Sequence, residues 1–149
     1  MDNITIAPPQ GGDKADWRRL YEGYATFYKR PMNDDIAERV WSWVTGGSGV
    51  LDAFVARDGK GRVVGLAHFR NMPRPLTGTM AGFLDDLFVD PELRGRGVGE
   101  KLIEALKQEG RRRGWTIIRW LTADDNYRAR FLYDQHATRT GWITYQIDL

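Results

Sequence analysis

The chain has 149 residues with 42% hydrophobic content, enough to bury one core, so residues 1–149 are expected to form a single domain. It contains no cysteine, which excludes disulfides, thiolate metal sites and a cysteine nucleophile, and fits a reducing cytoplasm. Its formal charge is only +2, with acidic and basic residues interspersed, which argues against a nucleic-acid partner; Arg111, Arg112 and Arg113 form the one dense basic run.

No apolar run approaches the roughly 18 residues of a membrane span, and the first residues, MDNITIAPPQGG, have neither a basic nor an apolar region of an export signal. A short strand is expected around Asn3 to Ile6. From Asp13 to Tyr28, Trp17, Leu20, Tyr21, Tyr24, Phe27 and Tyr28 fall at helical spacing, with Asp13 or Asp16 as N-cap. Pro31 ends that helix, Asn33 caps a second one carrying Ile36, Val40, Trp41 and Val44, and Gly46-Gly47 stops it.

The period then changes. LDAFVAR and RVVGLAHF read as strands joined by a tight turn at Asp58-Gly59-Lys60-Gly61. Asn71 to Gly82, with two prolines and two glycines, reads as a loop, and Phe83 to Val89 as a strand ending at Asp90-Pro91. A helix is expected from Arg96 to Arg113 with Gly114 at its C-terminal cap. WTIIRWL reads as a strand, Asn126 to Thr138 as a helix, and GWITYQID as a final strand. Interspersed strands and helices imply a three-layer α/β/α arrangement around a mixed sheet. His68 and His136 have no partner at ligand spacing, so no metal site is expected; they read as a strand residue and a surface helix residue.

The phrase from Asp85 to Gly99, DDLFVDPELRGRGVG, carries the chemistry: a strand, a turn and a glycine-rich helix start. Gly97 and Gly99 leave the backbone N–H groups of the helix start open to an anion, and the helix dipole adds to the attraction. A dinucleotide-binding fingerprint would need a small residue where Glu100 stands and an acidic residue where Thr122 stands. A P-loop would need Gly-Lys-Ser/Thr where the chain has Gly99-Glu100-Lys101-Leu102. The bland reading of the glycines, relief of a crowded turn, conflicts with their cost in helix propensity.

Arg94-x-x-Gly97-x-Gly99, after LFVDPELRG, resembles the pyrophosphate motif of the GCN5-related N-acetyltransferase (GNAT) family, and Asn126-x-x-Ala129-x-x-x-Tyr133 resembles its second motif. The resemblance covers about residues 50–149. The C-terminal wording, through Gly141-Trp142-Ile143-Thr144-Tyr145, is similar to the subgroup that acetylates histones, polyamines and D-amino acids. Gly141, however, follows Tyr133 by eight residues where four are usual.

The resemblance implies a splayed central strand pair and transfer of an acetyl group from acetyl-CoA to a primary amine by direct attack. A non-catalytic acyl-CoA sensor is the alternative. It further implies that Leu87, Phe88, Val89, Arg94, Gly95, Arg96, Gly97, Val98, Gly99, Asn126, Ala129 and Tyr133 border CoA, with a backbone N–H near Phe88 or Val89 on the acetyl carbonyl. Tyr133 is the implied general acid. Asp85 is the implied base, with Asp86 or a water relay as alternatives, and strand alternation is expected to send Asp85 and Asp86 to opposite faces. Arg111 to Arg113 read either as contacts to the 3′-phosphate or as a solvated helix end. Asp34, Asp35 and Glu38 read either as acceptor attractants or as helix-start residues. The acceptor is a small-molecule or peptide amine, and the apolar final strand suggests a homodimer.

Overall fold

In a computed structural model describing residues 3–149, five strands form one mixed sheet in the order β1 (Thr5–Ala7), β2 (Asp52–Arg57), β3 (Val63–Arg74), β4 (Thr79–Val89), β5 (Ile118–Trp120). Neighbours are antiparallel except β4 and β5, which are parallel. The helices are α1 (Lys14–Phe27), α2 (Asp34–Thr45), α3 (Val98–Arg113) and α4 (Tyr127–His136), with short 3₁₀ turns at Gly11–Asp13 and Pro91–Leu93.

Each sheet face has its own core. On one, Trp17, Leu20, Ala37 and Val40 of α1 and α2 pack on Val55, Val63, Leu66 and Phe88. On the other, Val98, Leu102 and Leu106 of α3 pack on Ala56, Val64, Ala67, Phe69 and Leu84. Trp17, Leu20 and Leu102 are at most 1% exposed, and each such side chain contributes about 2–3 kcal/mol of burial. The three-layer α/β/α reading is thereby realised.

Local signals act as expected at several termini. Asn33 Oδ1 accepts from Ile36 N at 2.9 Å to cap α2, and Gly114 closes α3 in the left-handed region. Asp58 Oδ1 accepts from the N–H groups of Lys60 and Arg62 across the β2–β3 turn. Asp13 precedes α1 but makes no capping bond; its carboxylate accepts instead from Gln10 N and from Arg57.

Three segments depart from the sequence reading. Asn71 to Gly82 is not a loop: β3 and β4 run on as a long hairpin with a tight turn at Pro75–Gly78. Pro73 is tolerated because β2 pairs with β3 only as far as Phe69, so beyond it β3 is an edge needing no N–H on that side. In WTIIRWL only Ile118–Trp120 joins the sheet. The expected final strand GWITYQID pairs with no described strand: residues 139–149 lie exposed, with Trp142 81% and Tyr145 88% accessible.

Candidate active site

The cleft is organised by two irregularities in β4. The first is where its pairing with β5 stops. The two strands pair only at Gly82–Leu84 with Ile118–Trp120, so from Asp85 onward β4 has lost its neighbour on that side. Asp90 N–H donates to Val64 O on β3; strand alternation therefore turns the Leu87 and Val89 N–H groups toward the opened gap. Of the expected pair Phe88 or Val89, this favours Val89.

The second is a bulge. His68 pairs with Asp86 and Phe69 with Leu84, leaving Asp85 as the extra residue. Both carboxylates thus turn toward the α1 side, which corrects the expectation of opposite faces. Asp86 Oδ2 accepts from His68 Nδ1 at 2.8 Å and from Tyr21 Oη at 3.2 Å. Asp85 Oδ2 accepts from Arg70 Nε at 2.9 Å, and Oδ1 has no partner among the described residues.

Opposite the bulge, the helical spacing of Tyr21, Tyr24 and Tyr28 lines up their rings along α1, with centroids 5.9 Å and 4.9 Å apart. With Ala25, Arg30, Met32, Ile36, Asp85 and Leu121 they enclose a cleft of about 560 Å³. Burial, tempered by Arg70 and reinforced by the neighbouring Asp86, pushes the Asp85 carboxyl above the ordinary carboxylate range. Burial also acts on Asp86, but the His68 and tyrosine donors outweigh it and hold that carboxyl below its ordinary value.

The glycine turn lies at the far end of β4. Gly95 and Gly97 have φ of 79° and 82°, the left-handed region open to glycine, and Gly97 begins α3 without any side-chain cap. The first N–H groups of α3 therefore have no side-chain acceptor at the cap. Gly99 works differently from the expectation: a Cβ there would lie 3.2 Å from Leu132 Cδ2, so its missing side chain admits α4 rather than a ligand. Arg94 donates from Nε to Val89 O and lies over the Phe88 ring. Its pKa is lowered by burial and by the like charge of Arg128, against a smaller pull from Asp90. Among the described residues Arg94, Arg96 and Arg128 have no ion-pair partner, and the like charges of Arg94 and Arg128 act on each other near the uncapped start of α3. Arg128 was missed in the sequence because nothing local ties it to a turn some thirty residues earlier.

Tyr133, on α4, packs against Trp120 and is pushed up to about 12 by burial and by Tyr28, itself a wall of the cleft. Asn126 opens α4 without a capping bond, its Nδ2 3.5 Å from Thr122 Oγ1, and Ala129 is half-buried one turn on. The arginine run lies at the other end of α3, about 24 Å from the glycine turn. There Arg112 and Arg113 pair with Glu109; Arg112 is exposed, as a solvated helix end would be, whereas Arg113 is largely buried, pairing also with Asp52 and lying over the Phe69 and Trp115 rings. Asp34 pairs with Arg18 and Glu38 with Lys14, neither lining the cleft. His136 is not a surface residue: its side chain is 9% exposed, against Glu100 and Glu104.

The sheet thus opens between its parallel strands β4 and β5, with an uncapped glycine turn after β4 and a cleft walled by three tyrosines beside Asp85. Residues 16–137 match the Acetyltransferase (GNAT) family, and the chain belongs to it. It is an acetyl-CoA-dependent N-acetyltransferase. The D-amino-acid N-acetyltransferase HPA3 of Saccharomyces cerevisiae is 27% identical over 146 residues, 97% of this chain and 91% of the relative. The crystal structure of a ribosomal-protein-alanine N-acetyltransferase from Brucella melitensis biovar Abortus 2308 superposes with a TM-score of 0.81 at 27% identity, covering 99% of both chains. AAC(6′)-Iy, in complex with a CoA bisubstrate analogue, shares the fold at a TM-score of 0.84, with 20% identity and 99% of both chains covered.

Proposed function

We propose that this enzyme acetylates the primary amine of a small molecule of amino-acid type, with Asp85 as base and Tyr133 as acid. The observation that carries the reading is the bulge, which aims the Asp85 carboxylate into a cleft walled by Tyr21, Tyr24, Tyr28, Met32 and Ile36. Such walls suit an apolar or aromatic side chain. Arg30, which also lines the cleft and has no carboxylate partner among the described residues, suits an acceptor carboxylate. The negative charge that would attract a polyamine is already shared with Arg70. The name of the yeast relative points the same way.

Acetyl-CoA supplies an activated thioester. The α3 N-terminus, with Arg94, Arg96 and Arg128, binds its phosphates, while Asn126 and Ala129 border its arm. Asp85 takes the ammonium proton at Oδ1, the atom free of Arg70. The Val89 N–H faces the gap to hold developing negative charge on the acetyl oxygen. Tyr133 Oη keeps its proton until the sulfur departs. The exposed apolar residues of the tail support a homodimer in which a second copy covers them, and the cysteine-free composition supports a cytoplasmic setting.

A panel of amines incubated with acetyl-CoA, followed by free thiol release, tests the acceptor. Amino acids with apolar or aromatic side chains are expected to turn over faster than their decarboxylated amines. Preference for polyamines or peptide N-termini would overturn the amino-acid assignment.

A further inference from the structure

His68 is a fully buried titratable group to which acetyl transfer as outlined gives no task. It is 0% exposed, beneath the cleft rather than in it. Trp17, also 0% exposed, donates from Nε1 to His68 Nε2 at 2.9 Å. Because an indole N–H only donates, Nε2 must accept, and the ring proton is fixed on Nδ1. That proton points at Asp86 Oδ2, 2.8 Å away. The same oxygen accepts from Tyr21 Oη, and Tyr21 is a cleft wall. Hydrogen bonds from the α1–β3 core and from the cleft wall thus converge on Asp86 Oδ2.

We propose that Trp17, His68 and Asp86 form a positioning triad for the transfer: His68, held in one tautomer by Trp17, fixes Asp86 as a permanent negative charge next to Asp85 and orients Tyr21 over the acceptor. This rests on the reading of Asp85 as base. Three features of the geometry carry it. The bulge puts the two carboxylates side by side on one face, so each feels the other's charge. They are partnered asymmetrically, Asp86 by N–H and O–H donors that satisfy its ionised form, Asp85 by Arg70 through one oxygen only. A packing histidine would need no such directional order, whereas here each donor in the chain meets an acceptor.

The consequence is a division of labour between adjacent aspartates. Asp86 stays ionised, and its charge raises the proton affinity of Asp85, matching the opposite displacements of the two groups from ordinary carboxylate values. The groups facing Asp85 are Arg70 and His68 from β3, Asp86 from β4, Tyr21 and Tyr24 from α1, and Tyr28 and Arg30 beyond it. Of these, only Asp86 is a fixed negative charge.

The test is the pH profile of kcat/KM with the best acceptor, for the wild type, Asp85→Asn, Asp86→Asn and Tyr21→Phe. Asp86→Asn keeps an acceptor oxygen for His68 and removes only the charge, so the acidic limb should move to lower pH by about one unit. Tyr21→Phe keeps the ring and should raise KM for the amine several-fold without changing affinity for CoA; if Asp86→Asn does not fold, this variant decides. Asp85→Asn should lose the acidic limb together with most of the rate. An acidic limb unmoved in folded Asp86→Asn, or an unchanged amine KM in Tyr21→Phe, overturns the triad while leaving the base assignment intact. Wild-type rates in Asp85→Asn overturn the base assignment and the triad with it.

Discussion

Tyr133 sets its ring edge-on against Trp120, with centroids 5.3 Å apart and planes at 69°, so the proposed acid is braced by the last residue of the strand at which the sheet opens. Removing only the hydroxyl, Tyr133→Phe, keeps this brace. Turnover should fall on the order of 10² to 10⁴-fold, with CoA affinity and melting temperature nearly unchanged. Because burial pushes the phenol up to about 12, kcat should show no loss from its ionisation anywhere in the neutral or mildly alkaline range. Single-turnover rates across pH check both points; near-normal turnover in the variant would reduce Tyr133 to a packing role.

Gly97→Val separates backbone demand from ligand demand at the glycine turn. No atom lies within 4 Å of a Cβ built at Gly97, but its φ of 82° costs a β-branched residue about 1–2 kcal/mol. Relieving that strain turns the N–H groups away from the anion, and affinity for CoA should drop about tenfold or more. Arg128→Ala should weaken CoA binding too and flatten its salt dependence, since one of the uncompensated charges is gone. Calorimetry with CoA at two ionic strengths measures both variants, and unchanged affinity in folded Gly97→Val would remove the phosphate assignment.

Asp13 and Arg57 tie the start of α1 to β2, with Arg57 Nε donating to Asp13 Oδ1 at 3.1 Å. Burial raises the Asp13 carboxyl, but the Arg57 hydrogen bonds, the Gln10 N–H and the Arg57 charge outweigh it, and the net shift is downward. A carboxyl lowered in the folded state contributes stability above its unfolded pKa and loses it as the pH falls through the folded value. Asp13→Asn should therefore cost about 2 kcal/mol near neutrality. The difference from the wild type should shrink below pH of about 4. Urea denaturation at neutral and acidic pH gives the comparison.

The tail predicts assembly. Trp142, Ile143, Tyr145 and Ile147 are 76% to 88% exposed, and on α4 Phe131 is 74% exposed. The full chain should run as a homodimer by light scattering at micromolar concentration. Deleting residues 140–149 should yield a monomer, or a chain that aggregates through Phe131 and Tyr127. A monomeric full-length protein would contradict the proposed homodimer.

Much of this was legible in the residues. The helix pair, the β2–β3 turn, α3 and its capping glycine follow from spacing and local chemistry, because side-chain period and φ preference act within a few residues. The glycine turn before α3 was legible for the same reason: Arg94, Gly95, Arg96 and Gly97 are contiguous, and the positive φ of Gly95 and Gly97 is a local demand. Asn71 to Gly82 misled because proline and glycine report only local backbone freedom, whereas a strand there depends on whether a neighbour needs the missing N–H. The tail misled in the opposite sense: its alternating apolar residues form no ladder among the described residues.

Sequence by itself determined the family, the α/β class and the glycine turn that opens α3, since these depend on contiguous motifs whose backbone geometry is encoded where they occur. Tertiary structure alone decided how the cleft beside Asp85 is built. The bulge at Asp85 is a register event between β3 and β4, so it turns both carboxylates to one face against their alternation. Trp17, His68 and Asp86 meet across separations of 51 and 18 residues. Arg128 comes near Arg94 on an α4 whose Leu132 packs against Gly99 of α3. Such juxtapositions arise from the packing of α1 and α4 against the sheet, and no local pattern records which residues the packed elements will bring face to face.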